Sequence, residues 1–170
     1  MVVAALIVYV LVSGERGVSK TREEVVEEKV VSGEIERSLL VPPGMRAREY
    51  ISQLRGAGKP YPLAEAFDKA RQYMQEGSLA DAHLLLFFAA REDYLPAVMA
   101  MGEMSDPTRF QAADSLLDHA DVIQAYKWYS KAASLGEQVA AERLQGLKQW
   151  ASSEAEAGNP HARQLLLNFQ

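Results

Sequence analysis

Residues 121–136 read DVIQAYKWYSKAASLG and carry the clearest helical pattern of the chain. Its apolar residues recur at intervals of three and four, the spacing that places them on one face of a helix. Asp121 stands where a carboxylate accepts the free amides of a first helical turn. Gly136 stands where glycine adopts the left-handed conformation that ends a helix. The stretch therefore predicts one amphipathic helix that runs from Asp121 to Leu135.

The same pattern occurs elsewhere in the chain. Residues 82–90 (AHLLLFFAA) align with residues 125–133 (AYKWYSKAA) at an offset of 43, which also pairs Ala97 with Ala140 and Met101 with Leu144. A third, partial copy follows 22 residues after the second, at Ala155, Gly158, Ala162 and Leu166. Alanine lets neighbouring helices approach closely, while the large residues fill the groove beyond. Helix–turn–helix repeats of this size predict an all-α chain that forms a short α-solenoid.

Residues 121–136 resemble the second helix of a Sel-one-like repeat, a relative of the tetratricopeptide repeat. That helix carries Ala, an aromatic pair, Lys-Ala-Ala and then Gly. Residues 97–104 (AVMAMGEM) resemble the first helix, which carries Ala and then a large residue followed by Gly. The resemblance covers about residues 66–170 and assigns a structural role to Ala97, Met101, Gly102, Ala125, Trp128, Tyr129, Ala132, Ala133, Gly136, Ala140 and Leu144.

The chain departs from this family in three places. The copy at residues 82–90 has Leu and Phe in place of Trp and Tyr, and Asp93 stands where Gly is expected. Residues 105–120 lengthen a loop that is usually short. Because inserted loops on solenoids carry contacts, we expect Asp114, Asp118 and His119 to bind a partner.

Local signals predict the other helix ends. We expect helices over residues 63–76, 78–91, from Pro96 to just before Asp106, 137–157 with a possible break at Gly146, and 160–169. Ser78 and Asp81 have the spacing of a capping box at the beginning of the second of these helices.

The front of the chain has a different character. Residues 1–14 are uncharged and apolar, and three interpretations stay open: an uncleaved membrane anchor, a removable signal peptide, or a buried strand or helix. Residues 15–62 predict a polar stalk with a short helix near residues 46–54, because prolines and glycines interrupt it repeatedly. The predicted domains are thus 1–14, 15–62 and 63–170.

Composition and motifs exclude several function classes. The net charge is −5, with the acidic excess in residues 63–170, which argues against nucleic-acid binding. The chain has no cysteine, so disulfides and thiolate chemistry are excluded. Residues 56–59 (GAGK) lack the first Gly and the Ser or Thr of a phosphate-binding loop. Asp114, Asp118, His119 and Asp121 do not follow EF-hand spacing. We therefore predict no catalytic residue, cofactor or metal.

The sequence as a whole predicts a membrane-tethered scaffold that binds another protein in a groove lined by the first helix of each pair and rimmed by acidic side chains. The positive-inside rule, applied to Arg16, Lys20 and Arg22, favours the cytoplasmic side. Export is nevertheless usual for bacterial chains with one N-terminal apolar run, and we expect a periplasmic repeat domain. The alternatives are an accessory subunit of a membrane enzyme complex, and a soluble enzyme or ligand-binding protein.

Overall fold

The computed structural model describes residues 41–112, 115, 117 and 119–169. These residues form seven α-helices and no β-strand, so the predicted all-α class is confirmed for this part of the chain. The helices are α1 (Met45–Ala57), α2 (Leu63–Gln75), α3 (Leu79–Arg91), α4 (Leu95–Ser105), α5 (Val122–Ser134), α6 (Gln138–Glu156) and α7 (Pro160–Leu166), and a short 3₁₀ helix (Leu167–Phe169) follows α7.

Most helix ends lie where local sequence signals place them. The side chain of Asp121 accepts hydrogen bonds from the amides of Ile123 and Gln124, both at 3.1 Å, and so caps α5. Asn159 caps α7 in the same way. The possible break at Gly146 is not formed, because α6 continues through it as one helix of 19 residues.

Four helices end in the same left-handed turn. In each turn the amide three residues past the last helical residue donates to a carbonyl five residues earlier, at 2.8–3.0 Å, as in a Schellman motif. The left-handed residues are Gly77, Asp93, Gly136 and Gly158, with φ of 73°, 62°, 93° and 97°. Asp93 therefore occupies the position at which the repeat predicts glycine.

Lys131 stabilises the turn at Asp93. Its Nζ donates to the carbonyl of Ala90, at the end of α3, over 2.7 Å. The same atom lies 2.7 Å from a carboxylate oxygen of Asp93. A positive charge stabilises the carbonyl end of a helix. Lys131 of α5 therefore stabilises the end of α3 and the left-handed Asp93 that follows it.

Burial follows the repeat. Each helix contacts the next along the chain from α2 to α7. Leu86 and Tyr129 hold matching positions at the offset of 43 and are 1% and 0% exposed. Met101 is buried, whereas Trp128, Ala133 and Leu144 are half-buried and Gly136 is exposed. The close helix contacts are made by fully or almost fully buried alanines at repeat positions: Ala82, Ala89, Ala97, Ala125, Ala132, Ala140 and Ala162.

Gly102 and Tyr129 form the closest contact between α4 and α5. A Cβ atom on Gly102 would lie 2.5 Å from Cε1 and 2.7 Å from Cδ1 of the Tyr129 ring. No side chain larger than a hydrogen atom fits there without displacing the ring. The helical backbone at position 102 does not itself need glycine, so packing against Tyr129 is the reason for glycine there.

Helix α1 packs on α3, although residues 15–62 were predicted to be a stalk. The short helix predicted near residues 46–54 is present, but it extends to Ala57 and belongs to the packed unit that begins at Pro42. The carboxylate of Asp81, 5% exposed, accepts the amide of Ala47 over 2.8 Å and so caps α1 from a different helix. The helical unit therefore begins before residue 63.

The predicted capping box of Ser78 and Asp81 is not formed. Ser78 makes no side-chain cap on α3, and its hydroxyl accepts a hydrogen bond from Arg46 instead. Arg46 also pairs with Glu76 at 3.1 Å and lies 3.8 Å from Asp81. Both residues of the expected box therefore interact with residues of α1. The beginning of α1 is buried, and its N-cap residue, Gly44, has no side chain that could cap the helix.

No helix within residues 41–112 or 119–169 combines the length and the apolar character needed to cross a bilayer. The apolar segment at residues 1–14 lies outside the described residues, as does the stalk up to residue 40. The anchor, signal and strand interpretations of that segment therefore stay predictions.

We predict that Gly102→Ala destabilises the fold by about 1–3 kcal/mol, since its methyl group overpacks the Tyr129 ring. Gly146→Ala is the matched control, because it lies inside α6 with no atom within 4 Å of the new Cβ. The control should stabilise by about 0.5–1 kcal/mol, the helix preference of Ala over Gly. Urea unfolding followed by circular dichroism measures both, and equal effects at the two sites would contradict the packing described.

Candidate functional site

A groove lies between α2 and α4, and we call it the α2–α4 groove. Its cavity measures about 270 Å³ and is mainly apolar. Phe67 lies in its wall and is held by a tilted contact with Tyr94, with ring centres 5.7 Å apart. The apolar lining residues are Phe67, Met74, Leu86, Ala100 and Met104. Methionine side chains are unbranched and flexible, so the groove has an adaptable apolar lining.

The rim of the groove carries both charges. Arg71, Glu103 and Arg109 line it together with Gln111 and Ser115. Glu103 lies 3.5 Å from Arg109 and 3.9 Å from Arg143, so one carboxylate links α4, the following loop and α6. An acidic rim was expected from the net charge of this half of the chain. The described rim is instead of mixed charge, because two arginines flank the single carboxylate.

Asp106 fixes the loop that follows α4. Its carboxylate is 2% exposed and accepts the Tyr129 hydroxyl at 3.0 Å. The amide and hydroxyl of Thr108 donate to the other carboxylate oxygen at 2.8 and 2.7 Å. A buried carboxylate is tolerated when donors satisfy its oxygens, and here three donors do so. The loop therefore leaves α4 in a fixed direction, beside the groove.

The environment of Tyr129 changes its acidity. Burial of the phenol raises its pKa, and the negative charge of Asp106 and the hydrogen bond to it raise the pKa further. The phenol therefore stays protonated in the folded chain and continues to donate to Asp106. Sequence reasoning did not single out Asp106. The available signal was Asp106-Pro107-Thr108, in which an aspartate can bond an amide two residues later.

His119 lies in a different cleft from the α2–α4 groove. This cleft measures about 400 Å³ and is formed by the end of the long loop and the beginnings of α5 and α7, with Trp150 of α6. His119 and His161 both line it, so the structure brings together two histidines that are distant in sequence. Asp114 and Asp118 lie outside the described residues, so partner binding by them stays a prediction. Within the described residues, no three His, Asp or Glu side chains are grouped so as to hold a metal ion.

We predict that Tyr129→Phe costs about 1 kcal/mol at neutral pH, because Asp106 loses one of three donors. Tyrosine in an unfolded chain ionises near pH 10. Since the folded pKa is raised, this contribution is fully present below that pH and is lost as pH rises above it. The variant should therefore lose less stability than the parent between about pH 9 and pH 11.

Tyr126→Phe is the control for that measurement, since its hydroxyl donates to the Asn168 carbonyl at an exposed site. It should change stability by no more than about 0.5 kcal/mol. Denaturant unfolding across the alkaline range separates the two variants. Identical alkaline profiles for the parent and Tyr129→Phe would contradict a buried bond to Asp106.

The described residues therefore offer a shaped apolar groove, a loop fixed at its edge and a separate cleft around His119. At the groove, Glu103 pairs with Arg109 and Arg143. No family model, curated protein or solved structure matches this chain.

Proposed function

We propose that this protein is a non-catalytic scaffold that binds another protein through the α2–α4 groove. The main support for this proposal is the groove itself, which is lined by the first helices of two successive helix pairs and contains Phe67, Met74 and Met104. Its volume of about 270 Å³ suits one or two inserted side chains.

The scaffold would be a short α-solenoid of Sel-one-like repeats. Four similar left-handed turns, the burial of matching alanines and the Gly102–Tyr129 contact support this architecture. The resemblance to the family rests on residues 97–104 and 121–136, and on Asp93 taking the backbone conformation of the glycine it replaces. An array this short needs its end repeats covered, and α1 covers the side of α3.

The scaffold would be tethered to the membrane by residues 1–14, with the helical unit on the periplasmic side. The uncharged apolar run supports this proposal, and the polar residues after it would separate the helical unit from the bilayer. A protein held at the membrane in this way meets its partner at high local concentration, so a modest groove is sufficient for assembly.

Site-specific cross-linking in the native cells tests the groove. A photo-reactive benzoylphenylalanine replaces Met104, which lines the groove, and in a matched strain it replaces Gln145, which is exposed on α6. We expect a protein adduct of defined mass from position 104 and none from position 145. Mass spectrometry of the adduct then identifies the partner.

Three outcomes would contradict parts of the proposal. An adduct from position 145 without one from position 104 would exclude the groove as the binding surface. An intact chain that is soluble and monomeric after lysis without detergent would exclude the tether. If the adduct cannot be separated from a stoichiometric membrane enzyme, the chain is an accessory subunit of that enzyme and not a free scaffold.

A further inference from the structure

A second cleft lies where α1 meets α3, and we call it the basic cleft. It measures about 470 Å³ and is lined by apolar residues of both helices, by three arginines and by Glu92. Ile51, Leu84, Phe87 and Phe88 form its apolar part. Arg48 and Arg55 come from α1 and Arg91 comes from α3. We propose that the basic cleft binds an acidic segment of a partner protein that also carries apolar side chains.

The three arginines are positive charges in an acidic chain. Glu92, which lines the cleft, already pairs with Lys59, and the neighbouring Asp93 pairs with Lys131. All three arginines are exposed, and none of them forms an ion pair with another described residue. The basic cleft therefore keeps a local positive charge that carboxylates from outside would complement.

Aromatic rings hold two of these guanidinium groups in place. Arg55 lies 5.8 Å from the ring centre of Phe88, and Arg91 lies 5.9 Å from that of Phe87. A guanidinium near an aromatic ring loses less freedom when a carboxylate binds it in a bidentate manner. Phe87 is 39% exposed and its ring lies nearly perpendicular to that of Trp128, with ring centres 5.9 Å apart, so it offers a fixed apolar surface in the cleft.

The shape and surroundings favour a protein segment over other anionic ligands. A concave cleft with an apolar floor accepts side chains, whereas a lipid surface is flat and meets exposed basic residues of a convex face. Nucleic acid carries a phosphate on every nucleotide, so it would bring a longer run of negative charge against the acidic excess of residues 63–170 than a short acidic segment does. Carboxylates spaced along a peptide with intervening apolar residues fit both parts of the cleft.

The basic cleft and the α2–α4 groove are separate surfaces. On α3 the basic cleft uses Leu84, Phe87, Phe88 and Arg91, whereas the groove uses Leu86. Two partner segments can therefore bind at once, and this inference goes beyond the proposed function, since it adds a second surface and states its chemistry. Variants in the basic cleft leave Met104 unchanged, so failure at one surface is distinguishable from failure at the other.

Selection from a library of random short peptides tests the proposal on the purified full chain. We expect enrichment of peptides that combine Asp or Glu with Leu, Ile or Phe. Arg55→Gln with Arg91→Gln should weaken their binding, measured by fluorescence anisotropy, by about tenfold or more, because each substitution removes a charge-assisted hydrogen bond. Lys127→Gln with Arg163→Gln removes the same charge from exposed positions outside the cleft and should leave the affinity within about twofold.

Salt dependence and two competitors complete the test. Affinity should fall as salt is raised, and a version of the peptide with Gln in place of Asp and Glu should not bind. Enriched peptides without acidic residues, equal affinity in both double variants, or no enrichment would each overturn the proposal. Displacement of the peptide by phosphatidylserine vesicles but not by excess acidic peptide would assign the cleft to a lipid surface and likewise overturn it. Circular dichroism confirms that the variants are folded, and Arg48→Gln provides an independent substitution in the same cleft.

Discussion

The ring of Tyr129 against the bare backbone of Gly102 is the contact on which the rest of the described fold depends. Because a Cβ at position 102 would lie 2.5 Å from the ring, the two residues set how closely α4 approaches α5. The same ring directs its hydroxyl to Asp106, 3.0 Å away, and so fixes where the loop leaves α4. One side chain thus determines a helix spacing and a loop direction, and both shape the edge of the α2–α4 groove.

Local features of this fold were predictable from sequence because their causes are local. Asp121 and Asn159 cap the helices that directly follow them. Gly77, Gly136 and Gly158 end helices through their own backbone conformation. At the offset of 43, Asp93 corresponds to Gly136, and the structure shows that both residues adopt the left-handed conformation although the sequence predicted only a departure from the repeat at Asp93.

Features with distant causes were not predictable. Asp81 has the spacing of a local capping residue, yet it caps α1, whose amide at Ala47 lies 34 residues earlier. Asp106 likewise accepts a hydrogen bond from the distant Tyr129, and Arg46 pairs with the distant Glu76. Sequence spacing does not encode which distant amide or hydroxyl lacks a partner. The mixed charge at the rim of the groove shows the same limit, since the net charge of a chain does not say where individual charges lie. Some arginines lie beside Glu103 at the groove, and others line the basic cleft.

The most direct test of the Gly102–Tyr129 contact is a double-mutant cycle on Gly102→Ala and Tyr129→Leu. Leucine is chosen because Leu86 holds the position that matches Tyr129 in the repeat. If the ring sets the helix spacing, Gly102→Ala should cost at least about 1 kcal/mol less in the Tyr129→Leu background, because the smaller side chain no longer meets the new methyl group. Additivity of the two unfolding free energies within about 0.5 kcal/mol would contradict the contact and the spacing it sets.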